Sequence, residues 1–283
     1  MFKAAHDINA DLHAHSTVSD GTLAPGALVQ RAVARGIEIF ALTDHDELSG
    51  LEEAAAEAHR HGLRFVHGVE VSVTFAGQTV HILGFGVDPA NAELRAGLQL
   101  VRSGRMRRAQ AMAEGLAAVG IEGALDGALR YADNLDLVSR MHFARWLVES
   151  GACSDTREVF GRYLVAGKPG YVPHQWAKLG EAIAWIRGAG GVAAIAHPGR
   201  YKLNDTELWA LATEFKEAGG TALEVVTSNH NVAETRRFAD MAREFGFEAS
   251  RGSDFHGPAE SHAELGSIAN LPLDLVPVWH RFL

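Results

Sequence analysis

Six histidines and three carboxylates fall at or near the ends of short apolar runs, and together they form a donor set for metal ions. His13 and His15 stand two apart at the end of a first run, and the two-residue period of a strand puts both imidazoles on one face with Asp11. Asp254 and His256 repeat that spacing in Gly252-Ser253-Asp254-Phe255-His256. Thr43-Asp44-His45-Asp46, Gly68-Val69-Glu70 and Ala196-His197-Pro198-Gly199 close three further runs, His81 lies in Val80-His81-Ile82-Leu83, and Asp20 sits in the loop Val18-Ser19-Asp20-Gly21. Imidazoles and carboxylates without thiolates suit Mn, Zn or Fe. Nine donors are too many for one ion, so the set implies two or three ions sharing a bridging carboxylate. Any one of these residues read alone is a cap or a satisfied buried polar group. The set is not, because burying so much unpaired charge is costly without cations.

Short β-rich runs alternating with segments of helical period are what would bring these residues together, and they predict an α/β fold with parallel strands. Seven strands are expected, at about 8–13, 37–43, 64–71, 79–87, 191–197, 222–227 and 247–253. Helices are expected at 25–35, 48–61, 179–189, 205–218 and 231–245, several of them ending at glycine. Strands three and four are joined by Phe75-Ala76-Gly77-Gln78, which predicts a hairpin rather than a crossover. Residues 91–165 read as three or four consecutive helices and close with the Gly/Pro loop 166–173. The expected organisation is therefore an α/β domain from 1–90 and 175–283, interrupted by a small all-helical insertion, 91–174. Were its parallel strands closed into a barrel, their C-terminal ends would converge on one mouth.

The composition is compatible with this plan and narrows the partners. A chain of 283 residues with 47% hydrophobic residues can bury one large core plus a small second lobe. The net charge of -9 argues against a broad nucleic-acid coat and leaves room for a local basic pocket. The single cysteine, Cys153, can form no internal disulfide and is expected to pack. No run long and apolar enough to span a membrane is present, and Met1 to Asp7 lacks a leader's apolar segment. A cytoplasmic location with no membrane and no stable protein partner is the expectation.

Taken in order, His13-x-His15, Ser19-Asp20-Gly21, Leu42-Thr43-Asp44-His45-Asp46, Gly68-Val69-Glu70-Val71-Ser72, His81-Ile82-Leu83-Gly84, Ala196-His197-Pro198-Gly199 and Gly252-Ser253-Asp254-Phe255-His256 resemble the polymerase and histidinol phosphatase (PHP) phosphoesterases. The match spans 11–256. Within that family the length, the Thr-Asp-His-Asp run and the insertion resemble the branch of 3',5'-nucleoside bisphosphate phosphatases and a related 5'-to-3' exoribonuclease. The resemblance implies a distorted seven-stranded (β/α) barrel with a trinuclear centre and with the helical insertion, 91–174, lying over the barrel mouth. One ion would be held by His13, His15, Glu70 and Asp254, a second by Glu70, His81 and His197, and a third by Asp20, His45 and His256, with Glu70 as the bridge and Mn2+ favoured over Zn2+ or Fe2+.

The chemistry expected there is phosphoester hydrolysis by a hydroxide shared between two ions, with no serine or cysteine nucleophile. A second phosphate on the substrate would need its own cations. Arg102, Arg105 and Arg108 recur every three residues, Arg140 and His142 follow in Val138-Ser139-Arg140-Met141-His142, and Lys168 lies in the Gly/Pro loop. Arg105, Arg108, Arg140, His142 and Lys168, together with Asp20 and His45, are the candidate substrate contacts, while Arg102 and Arg107 read as a solvated face. His230 is a candidate acid for the leaving group, Tyr171 or His174 a candidate base-stacking group, and the tryptophans read as core. The expected reaction is removal of the 3'-phosphate from a 3',5'-bisphosphonucleoside such as pAp. The alternatives are stepwise 5'-to-3' hydrolysis of short 5'-phosphorylated RNA, histidinol phosphate hydrolysis, and a non-catalytic, metal-stabilised binding module.

Overall fold

Seven strands line up in chain order as one sheet: β1 (Ala10–Asp11), β2 (Ile39–Leu42), β3 (Arg64–Phe75), β4 (Gln78–Phe85), β5 (Val192–Ile195), β6 (Ala222–Thr227) and β7 (Glu248–Gly252). The computed structural model describes residues 5–283, so the reading of the first residues as lacking a leader lies partly outside the described residues. Only β4 runs antiparallel to its neighbours; every other pairing is parallel. The sheet rolls until its first and last strands meet. Leu12 N–H donates to the Arg251 carbonyl at 3.1 Å, Asp254 N–H donates to the His13 carbonyl at 2.9 Å, and Ala14 bridges Phe255. The result is a nearly closed α/β barrel.

Helices α1 (Pro25–Ala34), α2 (Leu51–His61), α8 (Leu179–Gly188), α9 (Asp205–Glu217) and α10 (Val232–Phe245) cover the outside, each laying a buried apolar stripe on the sheet. Gly62 and Gly246 end α2 and α10 in the left-handed conformation that residues with a Cβ rarely adopt. The β3–β4 connection is the expected hairpin, tightened to Ala76-Gly77, both at positive φ as a two-residue turn requires. β1 is shorter than the expected 8–13, covering Ala10–Asp11, and beyond it Ala14 N–H pairs with the Thr43 hydroxyl.

The segment between β4 and β5 contains α3 (Ala92–Arg102), α4 (Arg105–Ala117), α5 (Ala124–Leu129), α6 (Arg140–Glu149) and α7 (Thr156–Val159), which runs on into a π turn, and no strand among the described residues. These helices do not form one unit. Leu94, Leu98 and Val101 of α3 are buried in the barrel's own core, while a second core of Met112, Phe143, Leu147, Val159 and Leu164 begins with α4. The helical lobe thus has its own core some dozen residues after the boundary expected at 91. Ser103-Gly104 breaks the helix between Arg102 and Arg105, so the recurring arginines do not share one helical face. Cys153 is buried in the lobe core and its thiol is pushed up by burial, in keeping with a packing role.

Candidate metal centre

The nine donors expected from the sequence converge at one end of the barrel. His45 follows β2, His197 follows β5, and Asp254 and His256 follow β7; Glu70 lies within β3, level with His45 through an isolated bridge. Because β4 runs the other way, a residue near its start reaches the same rim as the ends of its neighbours, which is why His81 joins them. Four overlapping groups have ligating atoms within 4.8 Å of one another: His15 with Asp20, His45 and His256; His13 with His15 and Asp254; His13 with Glu70 and His197; and His45 with Glu70 and His81. Glu70 is shared by two of these groups. One of its oxygens lies 2.9 Å from both His81 Nδ1 and His197 Nε2, and the other 2.9 Å from His45 Nδ1.

The donor set fits divalent cations. Buried His13 Nε2, His15 Nε2, Asp20 Oδ1, His45 Nδ1 and Glu70 Oε2 crowd one another at 2.9–3.7 Å yet make no aligned hydrogen bond, an arrangement that is unfavourable for buried polar atoms unless a cation is held among them. The charge balance says the same. Burial works against ionising Glu70, Asp20 and Asp254, yet the surrounding imidazoles, with Arg200 beside Asp254, hold all three well below the ordinary carboxylate range. Burial also opposes a charged His15, but Asp254 and Glu70 draw it up to about 10, and His13 is raised well above its usual value by Glu224, Glu70 and Asp254. The carboxylates demand positive charge at the centre. With divalent ions supplying it, the imidazoles are neutral, as ligation requires.

Strain and support surround these residues. His197 (φ 24), Asp254 (φ 53) and Asp46 (φ 52) are three of four non-glycine residues at positive φ among those described, a conformation held only where the surroundings over-determine it. Asp44 accepts hydrogen bonds from Ser16 N–H at 2.8 Å, Ser16 Oγ at 2.7 Å and Ser19 Oγ at 2.6 Å, which fixes the turn carrying Asp20. The lobe reaches the same turn: Ser139 Oγ donates to Asp20 Oδ2 at 3.2 Å, and Arg145 donates to the Asp20 carbonyl while pairing with Glu260.

A cavity of about 220 Å³ opens above the donors, walled on one side by His45, His81, Asp254 and His256 and on the other by Arg105, Arg108, Arg140, Met141 and Phe160 of the lobe. The arginines crowd one another. Burial first, then Arg140 and Arg105, pulls the Arg108 guanidinium down to about 10; burial, with Arg200 and Arg105, lowers Arg140. Arg108 is anchored to the Val172 carbonyl at 3.0 Å, whereas Arg140 makes only a long 3.4 Å contact to the Leu164 carbonyl. Arg105 is turned toward the barrel, where it pairs with Asp46, and its guanidinium lies 4.6 Å over the Trp176 ring. Two guanidinium groups with only carbonyl partners, Arg108 and Arg140, beside a third make an anion site.

Several expectations are corrected here. His142 is fully buried: its Nδ1 accepts the Ser139 N–H at 3.1 Å, capping α6, and burial pulls it down to about 4, so it is a neutral cap and not a substrate contact. Lys168 is exposed and does not line the cavity. His230 is no acid for the leaving group, because Nε2 accepts Gly199 N–H at 3.1 Å and Nδ1 bonds the Val225 carbonyl at 3.0 Å, which occupies both nitrogens. Neither Tyr171 nor His174 lines the cavity; His174 packs edge-on against Trp176 at 4.2 Å. Arg102 is not a solvated group, since it donates to the Asp46 carbonyl, whereas Arg107 is exposed as expected. Trp176, read as core, lines the cavity, as does His262.

Sequence reasoning missed Glu224, Arg200 and the Asp46–Arg105 pair. Glu224 is a lone carboxylate inside the apolar run of β6, and that was a usable signal. Arg200 follows the His-Pro-Gly turn and donates to Asp254 Oδ2 at 2.6 Å.

The PHP domain family matches residues 11–228. A 3',5'-nucleoside bisphosphate phosphatase from Chromobacterium violaceum is 51% identical over 96% of each chain. A 5'-3' exoribonuclease from Haemophilus influenzae is 39% identical over 96% of this chain and 98% of its own. A solved structure of an amidohydrolase from Chromobacterium violaceum, with bound sulfate and no metal, superposes with a TM-score of 0.94 at 50% identity, covering 97% of this chain and 95% of that one. The chain belongs to the PHP domain family.

Proposed function

We propose that this PHP-family chain is a metal-dependent phosphohydrolase that removes the 3'-phosphate from 3',5'-bisphosphonucleosides such as pAp, leaving the 5'-mononucleotide. The observation that carries the reading is one cavity with two ends that would each take a phosphate: a centre of six imidazoles and three carboxylates suited to hold cations, and an arginine group with too few counter-charges. A substrate with two phosphates satisfies both at once. The likeness to the bisphosphate phosphatase supports the reading.

His13, His15, Glu70 and Asp254 would hold one ion, Glu70, His81 and His197 a second, and Asp20, His45 and His256 a third. When bound, such ions supply Lewis acidity for activating water near pH 7 and neutralise charge at phosphorus; the donor chemistry admits Mn2+, Zn2+ and Fe2+. The chain's own groups do the rest. Arg108 and Arg140 grip the second phosphate, so that the 3'-ester is presented to the barrel rim, and Arg105 supports them from its seat on Trp176. Arg200, beside Asp254 at the cavity wall, adds positive charge next to the reacting phosphate. The lobe encloses the substrate and limits water.

A second reading, 5'-to-3' hydrolysis of short RNA with the same arginines on the 5'-phosphate, is favoured by the exoribonuclease relative. The two are separated by phosphate and nucleotide release from pAp, AMP and a 5'-phosphorylated short RNA, measured with Mn2+ and again after chelation. Fast conversion of pAp to AMP, with AMP intact and RNA slow, supports the first. Faster mononucleotide release from the RNA's 5' end overturns it in favour of the second, and undiminished activity in chelator refutes both.

A further inference from the structure

Glu224 is wholly buried in β6, and both of its oxygens are used on groups that belong to the centre. Oε1 lies 3.0 Å from His13 Nδ1, and Oε2 accepts the His197 backbone N–H at 2.6 Å. The strand is built to aim it there. The β6–β7 register passes from Glu224 opposite Ser250 to Val226 opposite Arg251, leaving Val225 as an extra residue, and a bulge of this kind redirects the adjoining side chain. Opposite, β7 has a glycine: a Cβ on Gly252 would overlap His13 and come within 2.9 Å of Glu224 Oε1.

Each contact has a consequence for ligation. A carboxylate on Nδ1 fixes the His13 ring as the Nδ1–H tautomer, leaving the Nε2 lone pair aimed between Glu70 Oε1 and Asp254 Oδ1, each 3.4 Å away. The second contact holds the backbone of His197 at its left-handed φ of 24, the conformation that turns its ring toward Glu70. One side chain thus sets the orientation of two imidazoles that approach the centre from β1 and β5, strands that are not neighbours in the sheet.

We propose that Glu224 is a positioning residue for the metal centre, locking the His13 tautomer and the His197 backbone so that both imidazoles present ligating nitrogens without rearrangement. The proposal rests on the metal-centre reading and concerns ion affinity, not substrate. The test is titration of the full-length chain with Mn2+ and with Zn2+ against a competing chelator, comparing wild type with Glu224→Gln, which keeps the volume but offers one acceptor oxygen in place of two. Outer contacts of this kind typically change metal affinity by about 10–100-fold. The expected result is a weakening of that size with the fold retained by circular dichroism. A folded Glu224→Gln protein with wild-type affinities overturns the proposal, whereas a wild type that binds neither ion overturns the metal-centre reading itself. Should the variant not fold, 15N NMR of the zinc-loaded wild type decides. A His13 ring protonated at Nδ1 supports the proposal, and one protonated at Nε2 refutes it.

Discussion

Replacing Arg140 with Met should weaken the enzyme toward bisphosphates and at the same time stabilise the free protein. The guanidinium stands at the first turn of α6, 5.6 Å over the Phe160 ring, with one long contact to the Leu164 carbonyl, so little in the free protein depends on its charge. Arg108, Arg105 and Arg200 are close enough to disfavour that charge or to be disfavoured by it. The fall of Arg108 from its usual 12.5 to about 10 corresponds to about 3 kcal/mol. Burial is the largest cause and Arg140 the next, so the relief on removing Arg140 is on the order of 1 kcal/mol, or a rise in Tm of about 1–3 °C. Methionine keeps the stem's packing against Phe160. With substrate bound the balance reverses, because a charge-assisted hydrogen bond to phosphate contributes about 1.5–3 kcal/mol. Its loss should lower kcat/KM for pAp by about 10- to 150-fold. The assay pairs kcat/KM on pAp and on p-nitrophenyl phosphate, which has no second phosphate, with thermal melts of the metal-loaded, substrate-free enzyme. A lowered Tm, or equal losses on the two substrates, refutes the idea of a repulsive site relieved by anion binding.

His142 gives the lobe an acid sensitivity. Its folded value of about 4 lies below the ordinary 6.5 because burial opposes the charged ring, so the unfolded chain takes up a proton that the folded one refuses. Its stabilising contribution is complete above 6.5 and is lost as pH falls toward 4, about 2 kcal/mol of it between pH 7 and pH 5. His142→Gln, which can also reach back to the Ser139 N–H, should flatten the pH dependence of urea unfolding in chelator by that amount; parallel curves for the two proteins would contradict the assignment. Gly252→Ala, by pressing a methyl group into His13 and Glu224, should destabilise by about 1–3 kcal/mol and weaken Mn2+ binding together with Tm. A variant with wild-type melting and wild-type affinity would show that β7 yields there at no cost.

Most of the centre was legible because its residues obey a rule that sequence displays: polar groups that follow apolar strands meet at the mouth of a barrel. His13, His15, His45, His197, Asp254 and His256 fit that rule directly, and His81 fits because the Ala76-Gly77 turn reverses β4. The arginine group was harder to read. Three arginines at three-residue spacing suggest one face of one helix, and only the break at Ser103-Gly104 sends Arg102 to the Asp46 carbonyl and Arg105 to its carboxylate. His142, His230 and Lys168 failed for a common reason. Whether a polar side chain faces ligand, backbone or water depends on a rotamer and a tertiary neighbour that spacing does not encode. Glu224 was overlooked because attention fell on strand ends, although an ionisable group amid Ala-Leu-x-Val-Val is costly unless paired and therefore marks a partner.

The seam where β7 meets β1 places the first and last donors side by side, and this orders events during synthesis. His13 leaves the ribosome some 240 residues before the Ser253 that it faces across the seam, an interval of roughly 10–50 s at ordinary elongation rates. Until then Glu70 and its imidazole neighbours have no Asp254 or His256 beside them, and tight, specific loading has to wait for the closing strand. Occupancy of the centre therefore reports that the chain has been read through its seventh strand and folded. A chain ending before residue 254 would carry the arginines of the lobe but lack two of the nine donors, Asp254 and His256.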